Sequence, residues 1–186
     1  MSIPAADREL LHARDVEGEG LADWRMLFGA LHARFVTGGF SAGADFVGKV
    51  AAAADEADHH PDVDLTYPRV DVRLSSHDVG GVTGRDVRLA RRISDLAAEA
   101  GFEARPGETS VLELGLDTPD RHEIAPFWAA LLGYRSADEG HELRDPDGTM
   151  PTIWFQTCEP GEAPPQRWHL DLRIPPEAVE QRIAGT

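Results

Sequence analysis

The segment RVDVRLSS, residues 69–76, alternates without a break: Val70, Val72 and Leu74 fall on one side, Arg69, Asp71, Arg73 and Ser75 on the other. That period predicts a strand with one buried and one wetted face, so apolar cover must lie over one side of its sheet only. Two segments can supply it. In 42–58, Phe46, Val50, Ala53, Ala54 and Ala57 recur at helical spacing, with Ser41 as the expected N-cap and Pro61 disfavouring helical geometry at His60. From Thr83, with Asp86 three residues on as in a capping box, Val87, Ala90, Ile93, Leu96, Ala97 and Ala100 form the stripe of a second helix closed by Gly101. Leu31, Ala33 and Phe35 alternate with His32, Arg34 and Val36 in a further strand, and residues 5–14 read as a short helix broken by the glycines of EGEG. The first hundred residues therefore predict an α+β unit.

After a turn-rich connector at 102–109 the pattern restarts in a different order. VLELGLDT (111–118) reads as a strand, HEIAPFWAALLG (122–133) as a helix closed by Gly133, and HELRDPDG, PTIWFQTC and RWHLDLRI each contribute a strand. PPEAVEQRI opens a last helix with proline where a first turn tolerates it. The expected organisation is a domain over 1–101, a linker over 102–109 and a domain over 110–186. Within the latter, VLELGLD and WHLDLRI form a weak repeat in which Glu113 corresponds to His169, and the second copy stops a few residues into its helix.

The net charge of −15 argues against nucleic acid or an anionic membrane as partner, since phosphate binding needs a basic surface. The single cysteine, Cys158, excludes an intramolecular disulfide and a thiolate zinc cluster. No apolar run approaches the roughly 20 residues needed to span a bilayer, and the N-terminus lacks the basic and apolar regions of a signal peptide. The expected location is the cytoplasm.

Chemistry gathers in DEADHHPDVDLTYPRVDVRLSSHD, residues 55–78. Adjacent side chains point in different directions, so His59 and His60 are poorly placed to share one metal ion, whose helical ligands usually stand four apart. Histidines at a helix C-terminus also suit the macrodipole with no further role. The third reading is proton transfer, because imidazole both takes and gives a proton near neutral pH, and His59, His60 and His77 each lie close to a carboxylate, Asp58 or Asp78.

The run Asp55, His59, His60, Pro61, then Tyr67, then Ser75–Asp78, then Asp86 at a helix start, resembles the signature of the pterin-4a-carbinolamine dehydratases, and the resemblance covers residues 1–101. It implies a small α+β domain with helices on one side of an antiparallel sheet, usually dimeric or tetrameric. The implied reaction is loss of water from a 4a-hydroxytetrahydropterin to give the quinonoid dihydropterin, with no metal or organic cofactor. By the same resemblance His59, His60 and His77 are the active-site histidines, with His60 and His77 as acid and base and His59 helping to hold the pterin. Asp58, Ser75, Ser76 and Asp78 fall at pterin-contacting positions, Trp24 is a candidate ring to stack on the pterin, and Asp86 is expected to be a helix-start carboxylate. The partners implied are the pterin and a pterin-dependent hydroxylase.

Residues 110–186 resemble the glyoxalase-like branch of the vicinal-oxygen-chelate superfamily. The cues are D-x-x-D before an F-W-x-x-L-L-G helix, D-P-D-G, W-F-Q and H-L-D-L. That resemblance implies a βαβββ module followed by an incomplete second one, and a cupped sheet that in many members holds a divalent metal. Its ligand positions would be Glu113, Gln156 and His169, although a metal-free cup is the preferred expectation. An unfinished sheet leaves an open strand edge, so a homodimer joined through this half is expected. Two alternatives stand beside the dehydratase: a metal-dependent enzyme run by the second domain, and a non-enzymatic dimerisation or ligand-binding module.

Overall fold

A computed structural model describes residues 4–159, 161 and 166–184, which group into two units. The first runs to Thr109 and takes back the chain from Ile174 onward; the second is Ser110–Arg173.

The first unit is built on an antiparallel sheet of β1 (Arg25–Leu27), β2 (Ala30–Val36), β3 (Asp62–Thr66), β4 (Arg69–Leu74) and β5 (Glu103–Ala104). The order is β1-β2-β4-β3, and β5 also pairs with β2. Leu31, Ala33 and Phe35 of β2 and Val70, Val72 and Leu74 of β4 point to one face. There they pack with Phe46, Val50, Ala53 and Ala54 of α2 (Phe40–Ala57) and Leu89, Ala90, Ile93, Leu96 and Ala97 of α3 (Gly84–Glu99). Phe35, Phe46 and Ile93 are fully buried, and each such side chain contributes about 1.5–3 kcal/mol. The other face is charged: Arg34 grips Asp71 through Nε (2.7 Å) and Nη2 (2.8 Å). Helices on one face of an antiparallel sheet is the arrangement the strand at 69–76 required.

Four details differ from expectation. The segment 5–14 is not one helix: a 3₁₀ turn (Ala5–Arg8) is followed by extended chain, pinned where the Leu11 amide donates to the Val82 carbonyl. Only then does α1 (Ala13–Gly18) begin, with the Asp15 carboxylate accepting from the His12 amide. Helix α2 starts at Phe40 behind Gly39, and Ser41 sits inside its first turn. It ends at Ala57, ahead of the proline, because Asp58 adopts a left-handed conformation (φ 48°) and returns its N–H to Ala54. Strand β3 carries two aspartates, a residue type depleted in strands, which hides it from pattern reading.

The second unit contains β6 (Val111–Thr118), α4 (Arg121–Leu132), β7 (Arg135–Ala137), β8 (Glu142–Arg144), β9 (Thr152–Thr157) and β10 (Trp168–Arg173). Its sheet has the order β10-β6-β9-β8-β7, with β6 and β9 parallel and the other pairs antiparallel. This is a βαβββ module with one further strand. Strand β7, three residues long, is too short to show a period. Leu116, Leu143, Ile153 and Phe155 pack with Ile124, Ala125 and Trp128 of α4, while the other face carries Glu113, Asp117, Trp154, Gln156, His169 and Asp171.

Residues 102–109 are not a free linker, since Phe102 packs on the first core, β5 adds to β2 and Thr109 is buried. The chain from Ile174 also joins the first unit rather than the second: Arg25 Nε meets Glu177 at 2.5 Å and Ala178 is buried. It forms a 3₁₀ turn (Pro176–Ala178) and α5 (Val179–Ala184). Among the described residues no helix is long and apolar enough to cross a membrane.

Candidate active site

The left-handed turn at Asp58 decides what the histidines can do. It lets the His59 amide donate back to the Ala54 carbonyl (3.1 Å), and the chain leaves α2 with His59 buried and His60 exposed. The His59 Nε2 lies 2.7 Å from Asp86 Oδ1. Asp86 stands in the first turn of α3 with no exposure to solvent. Its Oδ2 accepts from the Thr83 amide (2.7 Å), the Ser76 hydroxyl (2.7 Å) and the Thr83 hydroxyl (3.2 Å). Burial pushes the Asp86 carboxyl up, but the bonds from His59, the Thr83 amide and Ser76 outweigh it and hold the carboxyl below the usual range. An ionised carboxylate only accepts, so Nε2 of His59 carries a proton and donates to Asp86. The arrangement orients and fixes one imidazole as a buried carboxylate does in hydrolytic triads.

Asp86 was expected to be only a helix-start carboxylate. It is that, closing a capping box with Thr83, and it is also the partner of His59. Ser76 was expected to touch substrate. Its side chain is fully buried against Asp86 and Thr83, and its carbonyl and amide are bonded within the turn that ends at Gly81, so it supports Asp86 instead. Trp24 is likewise no stacking platform: it is 3% exposed, donates from Nε1 to Ser94 Oγ (3.0 Å) and packs edge-on against Phe35.

His60 is exposed and shares a surface contact with Asp55 (Nε2 to Oδ1, 3.0 Å). His77 is exposed on the turn after β4, beside half-buried Ser75. Its neighbour Asp78 meets Arg85 Nη2 at 2.5 Å and Arg8 at 3.8 Å, and the Arg85 hydrogen bond lowers the Asp78 carboxyl. Arg85 and Asp86 are consecutive, so one turn of α3 ties down both the His77 turn, through Asp78 and Ser76, and the end of α2, through His59. His59 also lines a cavity of about 360 Å³ between α2 and α3, with Ala53, Ala57 and Leu89 on its walls and Glu56, Arg85, Arg88 and Arg92 around it.

In the second unit Glu113, Gln156 and His169 share the polar face, but their surroundings do not suit a metal. Glu113 is 2% exposed and its Oε2 is held by Arg173 Nε at 2.5 Å. The register sets Glu113 opposite Asp171 and His169 opposite Gly115. The His169 ring lies over Gly115, where any Cβ would overlap it, and meets Trp154 edge to face. Gln156 is exposed near the end of β9. Among the described residues no group of three or more His, Cys, Asp or Glu side chains is placed to hold a metal ion.

Comparison with known proteins accords with these two units. Residues 7–96 match the family model described as pterin 4 alpha carbinolamine dehydratase, and residues 113–185 match that of a glyoxalase-like domain. A protein of Thermomicrobium roseum is 41% identical over 75 residues, which is 40% of this chain and 81% of that protein. One of Thermosynechococcus vestitus is 37% identical over 91 residues, 48% of this chain and 96% of its own. Both bear the name "Putative pterin-4-alpha-carbinolamine dehydratase". Among solved structures, the transcriptional coactivator/pterin dehydratase from Brucella melitensis is 30% identical and covers 48% of this chain and 99% of its own, with a TM-score of 0.46. With relatives spanned over most of their own length, the chain belongs to the pterin-4a-carbinolamine dehydratase family and carries a glyoxalase-like domain.

Proposed function

We propose that the first unit dehydrates a 4a-hydroxytetrahydropterin to the quinonoid dihydropterin by histidine acid–base catalysis. The observation that carries this reading is the buried His59–Asp86 pair, held by Ser76 and Thr83. A histidine that only ended a helix would need no such support. In the elimination an acid protonates the 4a-hydroxyl, the C4a–O bond breaks with loss of water, and a base takes a ring N–H proton, whose bonding electrons restore the conjugated ring. His60, beside Asp55, and His77 are both exposed, and they serve as that acid and base. His59, its Nε2 proton committed to Asp86, is the positioning residue, and Asp58, Ser75 and Asp78 border the pterin. The reaction calls on no metal or organic cofactor. The protein works as a homo-oligomer in the cytoplasm beside a pterin-dependent hydroxylase that supplies the carbinolamine, and the second unit serves ligand binding or assembly.

The test is to generate a 4a-hydroxypterin with such a hydroxylase and follow its dehydration with and without the protein. Acceleration over the spontaneous rate is expected, and His60→Ala or His77→Ala should each slow turnover by roughly 10²–10⁴-fold. Wild-type protein that leaves the spontaneous rate unchanged removes the proposal.

A further inference from the structure

The cavity between α2 and α3 gathers positive charge in a chain whose net charge is −15. Three guanidiniums of α3 line it, those of Arg85, Arg88 and Arg92, against a single carboxylate, Glu56 of α2. The three are not equivalent. Arg85 is spent inside the fold: its side chain is 13% exposed, with Nη2 on Asp78 (2.5 Å) and Nε on the Asp7 carbonyl (3.0 Å). Arg88 gives Nη2 to Asp7 Oδ1 at 2.7 Å and keeps the rest of its fork of five N–H groups. The acidic contact of Arg92 among the described residues is Glu99 at 4.0 Å, and with both side chains more than half exposed that pairing contributes little. Residues four apart share one face of a helix, so Arg88 and Arg92 can close on the same anionic group.

Two wall residues set this cavity beside the acid–base groups. His59 is followed by His60, and Arg85 holds Asp78, which follows His77. His59 is 7% exposed, and with Nε2 given to Asp86 its Nδ1 has no partner among the described residues. A ring nitrogen left over on so buried a residue, at the wall of a cavity, points to an occupant that completes its bonding. At about 360 Å³ the cavity is near the lower end of ligand pockets, which suits a compact group or the substituent of a larger molecule.

We propose that this cavity binds an anionic substituent of the pterin, a phosphate or a carboxylate. Arg92 and Arg88 form the charged clamp, and Nδ1 of His59 is a further donor when its ring is doubly protonated. The inference rests on the dehydratase reading of the first unit and narrows its substrate class: pterins with an acidic side chain are preferred to those with a neutral one. Glu56, on the α2 wall, repels the anion and limits that preference. Because charge supplies the selectivity at an open, solvated rim, salt weakens it.

The test is calorimetric titration of the full chain at low ionic strength with 6-hydroxymethylpterin and with its phosphate monoester, which differ only in side-chain charge. Pteroylglutamate, whose substituent ends in carboxylates, probes the other anion, and inorganic phosphate probes the anion without the ring. At least one acidic pterin is expected to bind about tenfold or more tighter than the alcohol, the effect of one or two charge-assisted hydrogen bonds. Arg92→Gln and Arg88→Gln should bring the ratio of acidic to neutral affinity toward one, Glu56→Gln should raise it, and added salt should lower it. All three side chains are exposed, and unchanged circular dichroism would confirm that the variants fold. Equal affinity for the alcohol and both acidic pterins, a preference that survives joint substitution of Arg88 and Arg92, or inorganic phosphate that binds as tightly as the ester would each overturn the proposal. Turnover separates it from the dehydratase reading. Accelerated dehydration with no preference for an acidic side chain overturns this inference alone. Failure to accelerate dehydration of either class, with the Arg92-dependent binding intact, removes the dehydratase reading and leaves recognition of acidic pterins in place.

Discussion

A carboxylate cut off from water must find all its bonds inside the protein, and Asp86 finds them in His59, Thr83 and Ser76. Removing it strands a buried imidazole N–H, a backbone amide and a hydroxyl together. Asp86→Ala should therefore destabilise the first unit by about 3–5 kcal/mol in urea unfolding, the usual cost of breaking a buried pair from one side. The pH dependence follows from the same bonds. The folded carboxyl lies below its ordinary value of about 3.9, so its contribution is complete above that pH and is lost as pH falls through the folded value. Wild type should lose stability more steeply below about pH 4 than Asp86→Asn, and matching slopes would contradict the assignment. Of this site the sequence shows the residue types and spacing, and Asp86 is legible as a helix start. The pairing with His59 is not, because the two are 27 residues apart and only the packing of α2 on α3 joins them. Trp24 was undecidable for a related reason: an aromatic side chain looks the same in a sequence whether it lines a core or a pocket.

At the scale of elements, long periodic segments were legible and short ones were not. Strand β6 and the Thr83–Asp86 start of α3 appear where periodicity and capping chemistry put them, and Gly101 (φ 71°) follows α3 as its left-handed terminator. Strands β5 and β7 hold two and three residues, too few for any alternation, and exist because a neighbouring strand offers them an edge. Close approach is the other thing periodicity cannot show. A Cβ at Gly43 would come within 2.6 Å of Leu65 Cδ1 on β3, so α2 approaches the sheet here closely enough that a larger residue would force the Leu65 side chain to shift. In the second unit Gly115 makes room for the His169 ring. Gly115→Ala should displace the imidazole from Trp154 and cost about 1–3 kcal/mol. His169→Ala in the same chain should recover much of that loss, so the double-mutant cycle is non-additive. Strict additivity would show that the ring does not rest there.

For the whole molecule, the boundaries matter more than the bulk numbers. Composition and charge argued against some partners without choosing a fold, and the change of pattern near residue 110 marked a second unit. What the sequence did not show is that the chain comes back to the first unit at Ile174, since no local pattern says which core a short helix will join. The register sets Val111 opposite Arg173, so the second unit begins and ends at neighbouring residues. Folded, it bridges Thr109 and Ile174 as a tight turn would. Unfolded, the same residues become a long flexible loop, and closing such a loop costs about 2 kcal/mol more than closing a short one. Selective melting of the second unit, for example by Leu143→Ala in its core, should therefore weaken docking of Pro176–Ala178 on the first unit and lower that unit's unfolding midpoint. Hydrogen exchange resolved by segment would detect this as faster exchange over 176–184, and unchanged exchange there would separate the two units thermodynamically. The pairing of Val111 with Arg173 thus makes a second domain act on its neighbour through chain entropy, with its folded state serving as a clasp for the terminal helix.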